Sequence, residues 1–205
     1  MLWQIRFFPF CTHHVFLSHC REDRDSLVFP LFRALNEHGI IAWLDRHDYP
    51  YGRASFEALR DGMLKCRHVV FLITQKMLSQ PRGWGIVELA WAELLQENLR
   101  EAGGVLQTVA LPLFFLDQGH PRLMRSAWQT LHDRAVFYRR RDGGRVAWAA
   151  RQVSAFVLRE AQRGLDNALW LQQDAHARER LGARQGLLDR ITARHPAPIP
   201  VSEAP

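Results

Sequence analysis

The sequence has little of what marks a secreted or membrane protein. Its 205 residues include three cysteines, an odd number without metal-ligand spacing, which argues against a disulfide framework. No apolar run approaches the ~20 residues needed to span a bilayer. The apolar start of the chain is short, contains Pro9 and lacks the basic region and cleavage site of a signal peptide. We therefore expect a cytoplasmic protein without a membrane partner.

Charge of one sign does not dominate the chain. The 27 Lys and Arg residues stand against 21 Asp and Glu, for a net charge of +6, and most of the excess is arginine from Arg122 onward. A nucleic-acid groove would interleave basic residues with exposed aromatics, whereas Arg139, Arg140 and Arg141 stand together beside a turn. We expect a solvated basic surface and no direct contact with nucleic acid.

The fingerprints of metal, phosphate and thiol chemistry are also missing. The ten histidines are scattered, and none stands with cysteines or carboxylates at zinc-ligand spacing. The loop from Ser18 to Asp23 lacks the glycine spacing of a P-loop or a dinucleotide fingerprint. His19 and Cys20 are adjacent in that loop, where neighbours seldom point at each other, so we expect a buried thiol and not a nucleophile. No metal site is predicted.

What the chain does contain is a series of continuous apolar segments. Because they do not alternate with polar residues, they are typical of strands covered on both faces, which means parallel strands linked by helices. The predicted strands are His14–Ser18, Ile40–Leu44, His68–Thr74, Thr108–Leu116 and Arg134–Tyr138. Pro112, inside the fourth, predicts a bulge or an edge position.

Segments with helical periodicity separate these strands. The predicted helices are Asp23–His38, Ala54–Lys65, Trp84–Arg100 and Arg145–Gln162. Gly39 predicts a left-handed cap after the first. Regular alternation of strand and helix indicates an α/β fold with a doubly wound parallel sheet. Ligands of such sheets bind outside the carboxyl ends of the strands.

The chain divides into one domain and three flanking segments. Residues 14–162 carry the alternating pattern and form the predicted domain, and residues 1–13 are an N-terminal extension expected to pack as an extra strand. Residues 163–193 are polar with spaced leucines and predict a C-terminal helical appendage. Residues 194–205 are proline-rich and predict a disordered tail.

Polar side chains follow the predicted strands at the expected ligand edge. Ser18 and Asp23 suit either a helix cap or an anion site at a helix N-terminus. Asp45 suits either a structural partner of its loop or a ligand contact. Glu88 lies one turn beyond Trp84 with apolar neighbours, which predicts partial desolvation and a raised pKa. The helix dipole alone would also favour a glutamate there.

The ordered motifs resemble the TIR (Toll/interleukin-1 receptor) domains, in the style of the bacterial members. HVFLSHCREDRD resembles the first TIR motif. GIIAWLDRHDYPYGRASFEALRDGMLKCRHVVFLIT resembles the second, with its BB loop, and LSQPRGWGIVELAWAEL resembles the helix that follows. The agreement spans Val15 to about Leu95. It implies a flavodoxin-like fold, with a five-stranded parallel sheet in the order 2-1-3-4-5 and helices on both faces.

The resemblance also implies an activity, because many TIR domains cleave NAD+ at the nicotinamide-ribosyl bond. They use one glutamate placed four residues after a tryptophan, which here is Glu88, the expected catalytic residue. NAD+ would be the substrate, and no cofactor is expected. The resemblance implies substrate-binding residues on the floor, lid and flank of the pocket: Phe16, Ser18, His19, Asp45, Tyr49, Arg53 and Trp84.

Several functions are compatible with this resemblance. The first expectation is an NAD+ glycohydrolase or cyclase in antiphage defence, which releases nicotinamide and either ADP-ribose or a cyclic isomer. We expect self-association into TIR oligomers and a separate effector or sensor protein as partner. The alternative is a non-catalytic interaction or signalling module that assembles through its BB loop. A third reading is a pathogen protein that mimics host TIR adaptors.

Overall fold

The computed structural model describes residues 12–45, 55–80, 83–101, 110–116, 120–123 and 126–173. Its centre is a sheet of five strands, each parallel to its neighbours. The strands are β1 (His13–Ser18), β2 (Ala42–Trp43), β3 (Cys66–Ile73), β4 (Ala110–Phe114) and β5 (Val136–Phe137). Their order is β2-β1-β3-β4-β5, which confirms the predicted order of 2-1-3-4-5.

Helices cover both faces of this sheet. They are α1 (Phe29–Glu37), α2 (Ser55–Lys65), α3 (Gln75–Leu78), α4 (Trp84–Glu101) and α5 (Arg145–Gln173). Neighbouring residues of β3 enter opposite cores. Phe71 packs in the core under α2 and α4, whereas Val70 and Leu72 pack in the core under α1 and α5. The continuous apolar strands are therefore buried on both sides, as predicted.

Pro112 lies inside the sheet, so the predicted edge position or bulge is wrong. β4 pairs with β3 in unbroken register through Pro112, which lies opposite Phe71. The carbonyl of Phe114 accepts a hydrogen bond from the N–H of Tyr138, so Pro112, two residues earlier, also directs its nitrogen toward β5. Pairing with β5 begins only at Leu113. Pro112 therefore lies before the first residue of β4 that pairs with β5, and its missing N–H removes no hydrogen bond from that pairing.

The predicted first helix consists of three helical segments in sequence. A 3-10 turn, Arg21–Asp23, leads into a π-helical turn, Arg24–Val28, before α1 begins at Phe29. Pro30 explains the wide turn, because it has no N–H for the carbonyl four residues earlier and its ring crowds that carbonyl. The N–H of Phe29 accordingly bonds to a carbonyl five residues back. Gly39 has a φ of 73°, which confirms the predicted cap.

Three short helical elements have no counterpart among the predicted ones, and one of them is the 3-10 turn Arg140–Asp142. The helix α3 is a single turn of four residues, too short to show a helical period. A 3-10 helix spans Ala127–Arg134 and buries Trp128 and Leu131. These two residues are three apart, which is one full turn of a 3-10 helix.

The last helix is longer than the sequence pattern predicts. It was expected to end at Gln162, yet α5 continues to Gln173. The predicted boundary between domain and helical extension therefore falls inside one helix, and that boundary stays a prediction. The proposed N-terminal strand and proline-rich tail lie outside the described residues. Within the described ranges, no helix has the length and apolar character required to cross a membrane.

Candidate active site

A pocket opens where the carboxyl ends of β1, β2 and β3 meet. The chain leaves β1 toward β2 on one side and later returns to β3 on the other, so the strand order reverses at the edge where a ligand was predicted. The pocket has a volume of about 510 Å³, within the range of small-molecule sites. It is lined by most of the predicted site residues: Phe16, His19, Asp45, Trp84 and Glu88.

Glu88 is the buried carboxyl group of this pocket. It lies four residues into α4 after Trp84 and is 5% exposed. Its Oε2 atom accepts a hydrogen bond of 2.5 Å from the hydroxyl of Ser18. Burial raises the pKa of Glu88 from the usual 4.5 to about 7, the Ser18 hydrogen bond opposes that change, and the negative charge of Asp45 adds to it. The predicted desolvation is confirmed, and Glu88 exchanges its proton near neutral pH.

The first turn of α4 approaches the pocket closely because Gly85 has no side chain. A Cβ atom there would lie 2.5 Å from Cε of Met77 and 3.2 Å from Cζ2 of Trp128. Both side chains line the pocket, and Trp128 also packs edge-on against Phe71 with ring centroids 5.4 Å apart. Sequence reasoning missed Met77 and Trp128, because both lie on helical elements too short or too tight to show an α-helical period.

Ser18 lies behind Glu88 and not on the pocket wall. It is the last residue of β1, is 1% exposed and is not among the residues that line the pocket. Its one hydroxyl proton is donated to Glu88. This geometry does not support the predicted contact of Ser18 with substrate. It does not support a helix cap either, because the following 3-10 turn has Cys20 at its N-cap and no side-chain cap bond.

His19 lines the pocket in a fixed, neutral state. Its Nε2 accepts a hydrogen bond of 3.2 Å from Nε of Arg24, and because a guanidinium can only donate, the ring proton lies on Nδ1. Nδ1 then donates to the carbonyl of Leu17 at 3.0 Å. Burial is the main cause that lowers the pKa of His19. Both ring nitrogens are engaged, so His19 shapes the pocket without a free site for proton transfer.

Asp45 follows β2 at the rim of the pocket and pairs with Arg24. The guanidinium of Arg24 donates to Oδ2 of Asp45, and Oδ1 of Asp45 lies 3.8 Å from Nε2 of His19. A quarter of the Asp45 side chain is exposed. The position therefore fits both roles considered for it, a structural partner within its loop and a polar contact for a ligand.

Aromatic rings form the floor and one flank of the pocket. The ring of Phe16 stacks on Trp43 with centroids 4.7 Å apart and planes 10° from parallel. Trp43 in turn lies directly over Gly62, where any Cβ atom would overlap the indole. Trp84 lines the flank and lies 6.3 Å from the ring of Phe56. The predicted lid residues, Tyr49 and Arg53, lie outside the described residues.

Cys20 is a pocket residue with a protonated thiol. It is 3% exposed, and its Sγ contacts Oε2 of Glu22 at 2.5 Å. Burial is the largest cause that raises the pKa of Cys20 to about 11, which opposes thiolate formation. The expectation of a buried thiol is confirmed. Both carboxylate oxygens of Glu22 also accept from Nε2 of Gln80 at 3.0 Å.

A buried network joins the segment after β1 to the segment after β3. Asp23 is 6% exposed, and its carboxylate accepts a bond of 2.5 Å from the Thr74 hydroxyl. Nζ of Lys76 lies 3.2 Å from the other carboxylate oxygen of Asp23 and donates to the carbonyl of Glu22 at 2.8 Å. The hydroxyl of Thr74 also accepts from the N–H of Met77 and caps α3. Asp23 thus fixes two pocket walls and makes no cap bond of its own.

The described residues do not bring metal ligands together. Among them, no group of three or more His, Cys, Asp or Glu side chains has the geometry to hold a metal ion. The chemistry of the pocket walls is that of one buried carboxyl group, an aromatic floor and an ion pair at the rim.

Comparisons with known proteins match the part of the chain that forms the sheet. A family model described as the TIR domain matches residues 15–145, which is more than half of the chain and includes residues of all five strands. Among curated proteins, the chain is similar to the NAD(+) hydrolase TcpC of Escherichia coli O6:H1 (strain CFT073). The two are 30% identical over 70 residues, 34% of this chain and 23% of that protein, so the match spans less than a quarter of the relative.

Two solved structures show similar chains at low identity. One is a metazoan TIR-STING receptor from C. gigas in complex with 2',3'-cGAMP, with a TM-score of 0.47 and 11% identity, covering 72% of this chain and 40% of that chain. The other comprises the TIR domains of the activated Roq1 resistosome directly recognizing the pathogen effector XopQ. Its TM-score is 0.42 at 18% identity, covering 90% of this chain and 86% of that chain.

Proposed function

Because the chain belongs to the TIR domain family, we propose that it is an enzyme that cleaves the bond between nicotinamide and ribose in NAD+. Glu88 carries this proposal, as a buried carboxyl group with a pKa of about 7 on the wall of a pocket of about 510 Å³. Perturbed carboxyl groups in clefts are candidates for catalysis. The similarity to the NAD(+) hydrolase TcpC of Escherichia coli supports the same activity.

The proposed reaction requires one carboxylate to stabilise a cation. The nicotinamide ring of NAD+ carries a positive charge on its nitrogen. When the C–N bond breaks, both electrons pass to this nitrogen, so no acid is needed to protonate the leaving group. The ribose becomes oxocarbenium-like, as in glycoside cleavage. Ionised Glu88 stabilises this positive charge and binds the ribose hydroxyls. A nucleophile then bonds to the anomeric carbon and releases its proton.

The remaining pocket residues bind the two ends of the dinucleotide. Phe16 and Trp84 offer ring faces for the bases, Asp45 offers a polar rim, and Tyr49 and Arg53 complete the proposed lid. Capture of the cation by water gives ADP-ribose, and capture by the adenine or a ribose hydroxyl gives a cyclic isomer. Exclusion of water from the closed pocket decides between these products.

The proposed enzyme works as an assembly of copies in bacterial antiphage defence, together with a separate effector or sensor protein. Membership of the TIR family supports this part of the proposal. If a neighbouring copy completes the pocket, the specific activity falls when the protein is diluted. A specific activity that is independent of protein concentration would contradict the assembly requirement.

The test is incubation of concentrated protein with NAD+ and measurement of nicotinamide and the adenine-containing product by chromatography. Wild type is compared with Glu88→Ala, and Glu93→Ala serves as the matched control, because Glu93 lies on the same helix and does not line the pocket. We expect loss of nicotinamide release in Glu88→Ala alone. Release that survives this substitution would refute the role of Glu88, and no release from wild type would favour the non-catalytic interaction module.

A further inference from the structure

Ser18 contacts Glu88 without lining the pocket. It lies two residues after Phe16 in β1, so both side chains lie on the face of the sheet that α4 covers. Ser18 is 1% exposed and does not line the pocket, whereas its hydroxyl is 2.5 Å from Glu88. This residue therefore acts on Glu88 and not on a ligand.

On the basis of the proposed function, we propose that Ser18 is a positioning residue that holds Oε2 of Glu88 and favours the ionised form of its carboxyl group. Within the described residues, the bond from Ser18 is the only hydrogen bond that Glu88 accepts. A hydroxyl group donates a stronger hydrogen bond to an ionised carboxylate than to a neutral carboxyl group. With Oε2 engaged, Oε1 is left for the ribose hydroxyls and the developing cation.

The charged and titratable groups near Glu88 on the β1 and β2 side do not favour its ionised form. Asp45 is negative and raises the pKa of Glu88, while Arg24 is paired with Asp45. His19 is neutral, and the thiol of Cys20 is protonated. In the part of the chain that the structure describes, the other charged residues that line the pocket are exposed: Arg21 and Glu22.

The elements that pack around α4 add no charge to the pocket either. The side chains that α2, α3 and the 3-10 helix of residues 127–134 contribute to its lining are apolar: Leu59, Met77 and Trp128. Among the described residues, desolvation and Asp45 both oppose the ionisation of Glu88, and the hydroxyl of Ser18 is the one group that favours it. Removal of that hydroxyl should therefore increase the protonated fraction of the carboxyl group at neutral pH.

The test measures nicotinamide release between about pH 6 and 9 for wild type, Ser18→Ala, Ser18→Thr and Ser26→Ala. Ser26 is an exposed serine outside the pocket and is the matched control. A lost charged hydrogen bond corresponds to about one to two pKa units. The half-maximal pH of kcat for Ser18→Ala should rise by that amount, which lowers kcat at pH 7 about five- to fifty-fold. At pH 9 kcat should recover to between about half and nine-tenths of its maximum with KM unchanged, and Ser18→Thr should keep the wild-type midpoint.

A second measurement does not depend on turnover. The carboxyl carbon of Glu88 is followed by NMR during a pH titration, with Glu88→Gln to assign its signal. We expect the same upward movement of the midpoint in Ser18→Ala. A loss of activity that is equal at every pH, or an unmoved titration, would overturn the proposal. If wild type releases no nicotinamide, the proposed function fails, and the titration still decides the role of Ser18.

Discussion

Replacement of Glu88 by glutamine should make the protein more stable, and the gain should depend on pH. Glutamine has the shape of glutamate and can accept the same hydrogen bond from Ser18, but it carries no charge. In the folded wild type the carboxyl group is 5% exposed, so its ionised form is poorly solvated. In the unfolded chain the same group is hydrated, and ionisation has no such cost.

The raised pKa fixes the sign of this effect. Glu88 has a pKa of about 7 when folded, against the usual 4.5, so the folded protein binds more protons between these values. Its contribution to stability is fully present below about pH 4.5 and is lost as the pH rises through about 7. The difference corresponds to roughly 3 kcal/mol, at about 1.4 kcal/mol per pKa unit. Glutamine does not titrate. The free energy of unfolding of Glu88→Gln relative to wild type should therefore increase by up to roughly 3 kcal/mol as the pH rises from about 4.5 to above 7.

The assay is urea unfolding of wild type and Glu88→Gln at several pH values between about 4.5 and 8. Thermal midpoints should separate by up to about 10 °C over the same range, at about 2 to 4 °C per kcal/mol for a chain of this size. Groups that titrate equally in both proteins cancel in the difference, and Glu93→Gln on the same helix should follow the wild type. A difference in the free energy of unfolding between wild type and Glu88→Gln that stays constant across this pH range would refute the reasoning.

Two further predictions concern the floor and the thiol of the pocket. Gly62→Ala should lower the free energy of unfolding by about 1 to 3 kcal/mol, because its methyl group overlaps a rigid indole. In urea unfolding Gly144→Ala is the control, since nothing lies within 4 Å of a Cβ there, and equal midpoints for the two variants would contradict the close contact. Cys20, with a pKa of about 11, should react with iodoacetamide at pH 8 more than about a hundredfold slower than a free thiol. Mass spectrometry of the labelled peptide measures this rate, and labelling as fast as in urea would show that the thiol is accessible.

The fold was predictable because strands that are buried on both faces of a sheet are written in the sequence as continuous apolar segments. Continuous apolar strands and the cap at Gly39 follow from local chemistry, and both are confirmed. The prediction for Pro112 was wrong, because the preference of proline for edges and bulges assumes that its missing N–H would otherwise bond to a neighbouring strand. The sequence of β4 does not show where pairing with β5 begins. The length of β5 and its stagger against β4 are tertiary properties, and no pattern within β4 contains them.

The candidate site was predictable in its location more than in its contacts. The carboxyl ends of the strands and the spacing of Trp84 and Glu88 indicated the pocket. The bond between Ser18 and Glu88 joins residues 70 positions apart, and which polar group meets which depends on sheet register. One usable signal was present, because the alternation of β1 directs Ser18 to the same face as Phe16. Trp128 had no such signal, since its 3-10 helix lacks the period that identifies α-helices.

The network around Asp23 has a mechanical consequence for the pocket. Thr74 and Lys76 tie the segment after β1 to the segment after β3, and α4 begins only a few residues further along the chain. Asp23 is therefore the residue on which both segments depend, because its two carboxylate oxygens contact Thr74 and Lys76. Loss of this one carboxylate would remove both of these contacts between the segment that carries Glu22 and the segment that precedes α4.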